Sequence, residues 1–176
     1  MKSETRKLDL HDRIRLALEE DRRGEANRRL TLFKCACVRL TLPAAADALD
    51  ALDATERLAL GRITRAEQRE VVNGRFSGAQ TVVMGLKYES PRAATAIALD
   101  SAVHASDLQS IRNVTTMCLA WAQFTAKKFG ENTSVARGEM EAAMLDALDR
   151  ILEARSLEEA AIEVRRLPVN STGPVN

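Results

Sequence analysis

What most limits the fold of this chain is a shortage of strand and turn formers. Its 176 residues include only 17 Val and Ile and 12 Gly and Pro, against 49 Ala and Leu. β-branched residues favour strands and Gly and Pro favour turns, whereas Ala and Leu lose least on entering a helix. The expected fold is therefore all-α, a compact multi-helix bundle or a solenoid-like stack of about seven to nine helices. A chain of this length can bury one core. Residues 1–167 are expected to form a single helical domain, with 168–176 (PVNSTGPVN) a disordered tail that has nothing to bury.

Period and punctuation place the helices. Leu10, Ile14, Ala17 and Leu18 line one face of a first helix from Asp9 to Arg23, ended by Gly24. A second is expected from Ala26 to Leu42, with Leu30, Phe33, Ala36, Cys37 and Leu40 inward and Pro43 as its stop. The third runs from Ala44 to Leu60 and closes at Gly61. Thr64 and Glu67 form a capping box that opens a short helix to about Asn73. Residues 74–89 are the least regular, with Gly74, Gly78 and Gly85 around Val82-Val83-Met84. A lone strand there would have no partner, so helix is expected.

Ser90-Pro91 opens the next helix, which continues to Ala105 and is lined by Ala94, Ile97, Ala98 and Ala102. Ser106 is expected to cap its successor, with Asp107 in the first turn and Gly130 at the end. A further helix is expected from Gly138 to Ala154, and a second capping box, Ser156 to Glu159, starts the last, which ends at Leu167-Pro168.

Net charge is +1 and the pI near 7.7, which removes any global drive toward nucleic acid or anionic membrane. The sum hides an asymmetry, since residues 1–42 carry a net +4 and residues 131–176 a net −4. Such ends can pair within the fold, or the basic end can recruit an acidic partner. With no secretory apolar segment after Met1 and no long apolar run, a cytoplasmic protein without a membrane partner is expected. Three cysteines fit the same reduced setting. Cys35 and Cys37 point about 200° apart on a helix, so they read as small core residues rather than shared ligands.

Chemistry-bearing patterns are scarce. His11 and His104 have no ligand-spaced neighbours, and C-x-x-C, H-x-x-x-H and E-x-x-H are absent, so neither metal nor cofactor is expected. Cys118 falls in an apolar helical stripe, where a thiol is sluggish. Walker A, G-x-G-x-x-G and G-x-S-x-G are also missing, and Glu19-Glu20-Asp21 and Glu158-Glu159 read as solvated ion-pair faces. The expectation is a protein that is not an enzyme.

Arginine is the residue type that stands out, at 20 against 6 Lys. A GC-rich coding bias would produce the same excess. Arg22, Arg23 and Arg28, Arg29 flank the turn at Gly24, and with Arg39 they are the candidate binding residues, suited to bidentate pairing with carboxylate or phosphate. Nucleic acid is disfavoured because the first 42 residues hold one aromatic, Phe33, on the expected buried face. Trp121 and Tyr88 are candidate interface anchors, although Trp121 shares a stripe with Ala122 that suits core packing.

The run Leu30-Thr31-Leu32-Phe33-Lys34-Cys35-Ala36-Cys37-Val38-Arg39, then Leu42-Pro43, precedes an Ala-rich helix from Ala51 to Gly61 and the Thr64-Arg65-Ala66-Glu67 cap. This order, with Ala93–Ala105 and Ala120-Trp121 beyond it, resembles the all-helical immunity proteins of bacterial polymorphic-toxin loci and related planctomycete and actinobacterial helical families. The resemblance spans roughly residues 28–125 and implies a protein that binds and neutralises a cognate toxin without catalysis. It marks packing positions and assigns no contact residue. Leu10-His11-Asp12-Arg13-Ile14 through Glu25-Ala26-Asn27-Arg28-Arg29-Leu30-Thr31 is also similar to the first helical hairpin of the GatB/YqeY family, a likeness that ends at Arg39.

The expected function is therefore protein binding, as an immunity protein that covers a toxin. The alternatives are an Arg-dependent RNA-binding or tRNA-linked accessory module, and a structural subunit of a larger assembly that would form homo-oligomers.

Overall fold

A computed structural model describes residues 9–21, 24–41, 46–73, 91–104 and 107–167. Arg22, Arg23, Tyr88, Ser106, the irregular stretch 74–89 and the tail 168–176 lie outside the described residues. Among those described, all regular structure is helical: α1 (Leu10–Glu19), α2 (Ala26–Thr41), α3 (Ala46–Ala59), α4 (65–73), α5 (Pro91–His104), α6 (Leu108–Phe129), α7 (Thr133–Glu153) and α8 (Leu157–Arg166).

The architecture is a bundle wound around α2, which packs against α1, α3, α5, α6, α7 and α8. A solenoid stack would confine each helix to its neighbours in sequence. Instead α2 meets α8 and α1 meets α7, where Arg13 pairs with Asp149. That ion pair joins the basic and acidic ends of the sequence inside the fold. The expected inner face of α2 is buried, but so is its reverse face, including Leu32, Lys34, Cys35, Val38, Arg39 and Thr41. Small side chains let the surrounding helices approach closely: Ala51, Ala54, Ala93, Ala98, Ala122, Ala147, Ala160 and Ala161 are all buried. Trp121 is half-buried against this core.

Several caps follow the sequence and others displace the expected boundaries. Gly61 takes φ +70° after α3, with its amide donating to the Leu58 carbonyl (3.0 Å) and that of Arg62 to the Arg57 carbonyl (2.9 Å). The Thr64 amide donates to the Glu67 carboxylate (2.7 Å) while the Glu67 amide donates to the Thr64 hydroxyl (3.3 Å), the expected capping box. At α8, Ser156 accepts from the Glu159 amide (3.1 Å), but the Glu159 carboxylate reaches the Arg155 amide (2.7 Å), one residue further back.

α1 stops at Glu19 rather than Arg23, because the Asp21 carboxylate accepts the Glu25 and Ala26 amides (3.2 and 2.9 Å) and serves the start of α2. Asp107 is the N-cap of α6, accepting the Ser110 amide at 2.7 Å, and not a first-turn residue behind Ser106. α7 begins at Thr133, five residues before the expected Gly138. Asn132 accepts the Ser134 and Val135 amides (2.9 and 3.2 Å), and this cap outweighs the propensity of about 1 kcal/mol that Gly138 forfeits inside the helix. Along α5, Ile97 is half-buried while Ala93, Leu99 and Val103 join the core.

Candidate binding surface

Of the five candidate arginines, Arg22 and Arg23 are outside the described residues, and the other three separate in space. Arg29 is buried. Its Nη1 donates to the carbonyls of Ile151 (2.6 Å) and Ala154 (2.9 Å), and Nη2 donates to Glu25 Oε2 (3.3 Å). Carbonyls at a helix C-terminus have no partner within the helix and carry the negative end of its dipole. Arg29 therefore acts as a side-chain cap supplied to α7 by α2.

Arg39 is also internal. Its Nε and Nη2 donate to Glu56 Oε1 (2.9 and 2.7 Å), and the other Glu56 oxygen accepts from Arg165 Nε (3.1 Å). Asp53 lies at the edge, 3.4 Å from Arg39 and 3.8 Å from Arg165. Glu56 is completely buried, so a single carboxylate from α3 fastens α2 and α8. Sequence reasoning overlooked Glu56, whose helical neighbours make it look like one more surface acid.

Arg28 is exposed and leads to a cluster that was also overlooked. Its guanidinium lies over the α3–α4 corner, near where a Cβ on Gly61 would project (3.8 Å). That corner carries Arg57, Arg62, Arg65 and Arg69, all exposed. None of these five guanidiniums lies within ion-pair distance of a carboxylate among the described residues. Residues 57–70 contain two exposed acids, and one of them, Glu67, is engaged by Thr64, whose hydrogen bonds lower its carboxyl pKa with a lesser contribution from the Arg57 cation. The i, i+4 spacing of Arg65 and Arg69 was the signal available in the sequence.

Beside this corner, Lys34 is 1% exposed, and its ammonium donates to the Ser110 hydroxyl at 3.2 Å. Burial lowers its pKa to about 8; the Asp107 carboxylate opposes the shift and the Arg65 cation adds to it.

The side chains suited to covalent chemistry are occupied otherwise. Cys35, Cys37 and Cys118 are free and buried, and the Cys118 thiol donates to the Cys37 carbonyl (3.4 Å). Burial pushes the Cys35 thiol up to about 12 and raises those of Cys37 and Cys118 as well, so the nucleophilic thiolate is disfavoured at all three. His104 is exposed and its Nδ1 lies 3.1 Å from Asp100 Oδ1. Among the described residues no group of three His, Cys, Asp or Glu side chains is placed to hold a metal, and no helix is long and apolar enough to cross a membrane.

No family model, curated protein or solved structure matches the chain. The exposed arginines of the α3–α4 corner are the most distinctive surface chemistry among the described residues.

Proposed function

We propose that the chain is a non-catalytic protein-binding module that docks an acidic partner surface through its α3–α4 corner, in the manner of an immunity protein covering a cognate toxin. The observation that supports this reading is the group of five exposed arginines, Arg28, Arg57, Arg62, Arg65 and Arg69, none of them within ion-pair distance of a carboxylate among the described residues, although Arg57 acts on Glu67 at longer range. Clustered like charges repel in the free protein, and an acidic surface relieves that repulsion while speeding encounter. Glu56 fastens α3 to α2 and α8 behind the corner, so the surface is held ready and less ordering is needed on binding. The proposal places the protein in the cytoplasm, where its three buried thiols stay reduced.

The same arginines could face RNA phosphates, but residues 57–70 contain no aromatic on which a base could stack. The protein reading is favoured for that reason.

The test is affinity capture from the native organism with the wild-type chain and with an Arg62→Glu/Arg69→Glu variant, eluted in two salt steps. The expected result is one stoichiometric protein held by the wild type and lost, or captured at least tenfold less, by the variant. Equal capture by both chains would overturn the assigned surface. RNA leaving in the first salt step with no protein would overturn the protein-binding reading.

A further inference from the structure

A small cavity opens beside the arginine corner, where α2, α3, α4 and α5 converge. Its volume is about 180 Å³, the share of liquid of about six waters. Cofactor and nucleotide pockets begin near 300 Å³, so this one has room for a single small group. Its lining divides by exposure. Ala59, Ala102 and Val103 are buried and, with half-buried Leu58, supply an apolar floor, whereas the exposed Asn27, Arg28 and Arg65 supply the rim.

Hydrogen-bond accounting sharpens the chemistry. Two threonines also line the cavity, but their hydroxyl protons are already committed, Thr31 to the Asn27 carbonyl (2.9 Å) and Thr55 to the Ala51 carbonyl (2.8 Å). Thr55 Oγ1 in turn accepts from Gln68 (3.2 Å). The donors left for an occupant are the two guanidiniums and the Asn27 amide, all at the rim. An occupant must then be amphipathic in one sense, with a short apolar group pointing down and an anion held at the mouth. An internal Asp or Glu side chain entering from above would present its charge and methylenes in the reverse order.

We infer that this cavity is an anchor subsite for the C-terminal residue of the partner, taking a small branched apolar side chain on its floor and the free α-carboxylate between Arg28 and Arg65. The inference rests on the protein-binding reading above and specifies what the corner grips. A terminal carboxylate is planar and accepts two parallel N–H bonds, the geometry a guanidinium offers.

The probe is the tripeptide acetyl-Gly-Gly-Val with a free carboxylate, titrated into the full chain and followed by amide NMR shifts. The controls are its C-terminal amide, isovalerate and the internal acid acetyl-Gly-Glu-Gly-amide. The expected result is shifts centred on Arg28, Thr31, Ala59 and Arg65, with the C-terminal amide and the internal acid each at least tenfold weaker. Asn27→Trp, which fills the mouth and keeps every charge, should weaken binding at least tenfold, as should Arg65→Ala. Arg137→Ala, which removes an exposed charge on α7 away from both the cavity and the corner, should change it less than threefold.

Isovalerate binding as tightly as the tripeptide would overturn the assignment to a partner's terminus in favour of a small free acid. Equal binding of the internal acid, or no binding of the tripeptide, would overturn the subsite. If the tripeptide fails while the corner still captures a protein, only the subsite falls. If capture fails as well, the protein-binding reading falls with it.

Discussion

Arg39 and Arg62 are the same residue type in two settings, and the setting decides what each can do. Arg39 sits in the interior, sharing the Glu56 carboxylate with Arg165 so that α2, α3 and α8 are fastened at one point. Arg29 caps the far end of α7 in the same spirit. Arg62, with Arg28, Arg57, Arg65 and Arg69, stands in water with no carboxylate within ion-pair distance among the described residues. In the interior each lost partner strands a desolvated charge, so fold stability depends on the pair. On the corner, water and salt screen each cation, and its removal alters what the protein can attract rather than whether it folds.

The largest effect expected from this contrast belongs to Glu56. Glu56→Ala should destabilise by about 3–5 kcal/mol, because it leaves Arg39 buried without its principal acceptor. Urea unfolding followed by circular dichroism reads this directly. Removing both charges, as Arg39→Met/Glu56→Leu, should recover most of the loss, since well-packed apolar groups often replace a buried ion pair at little cost. A double variant as unstable as the single one would show that the ion pair stabilises the bundle beyond satisfying its own charges.

Lys34 gives the interior a smaller, pH-dependent term. Its pKa falls from the ordinary 10.5 to about 8 on burial, so the fold disfavours its charged form. Below pH 8 the ammonium is charged in both the folded and unfolded states, and the full burden on folding is present. The burden is lifted as pH rises from about 8 to 10.5, where the unfolded chain holds the proton that the folded chain has released. It is on the order of 3 kcal/mol at most. The buried thiols act in the opposite direction above pH 9, so Lys34 has to be isolated by difference. Lys34→Met should be more stable than wild type at pH 7, and the gap should close by pH 10.5. A gap constant across that range would mean that Lys34 keeps its ordinary pKa in the fold.

Why the arginines divide in this way was only partly legible in the sequence. The helices could be read because their information is local: the period of Leu10 and Ile14, the Thr64–Glu67 box, Gly61, Gly130 and Ser156 all act within a few residues. The burial of α2 could not, because a helix with Lys34, Arg39 and Thr41 on its reverse face reads as amphipathic until their partners are known. Those partners are remote. Glu56 follows Arg39 by 17 positions, Arg165 follows Glu56 by 109, and the Ile151 carbonyl follows Arg29 by 122. Residue counts gave the arginine excess without saying which members face inward. Arg28 stands out by its place beside the Gly24 turn, whereas nothing in the local pattern marks Arg57, Arg62, Arg65 and Arg69 as one group.

The smallest expected effect on stability is at the corner itself. Arg62→Ala/Arg69→Ala should shift the urea-unfolding free energy by no more than about 0.5 kcal/mol per site, the usual range for surface changes away from buried features. The sign is also expected to be favourable, since removing two of five neighbouring cations lowers their mutual repulsion. That gain should shrink as salt is raised from 10 mM to about 1 M, where the Debye length falls from about 30 to 3 Å. A loss of more than about 1.5 kcal/mol would mean that these arginines brace the fold as Arg39 does, and the distinction between inner and outer charges would fail. A salt-dependent gain would instead mark a charge cluster kept at some expense to stability, as expected where it serves an encounter with another molecule.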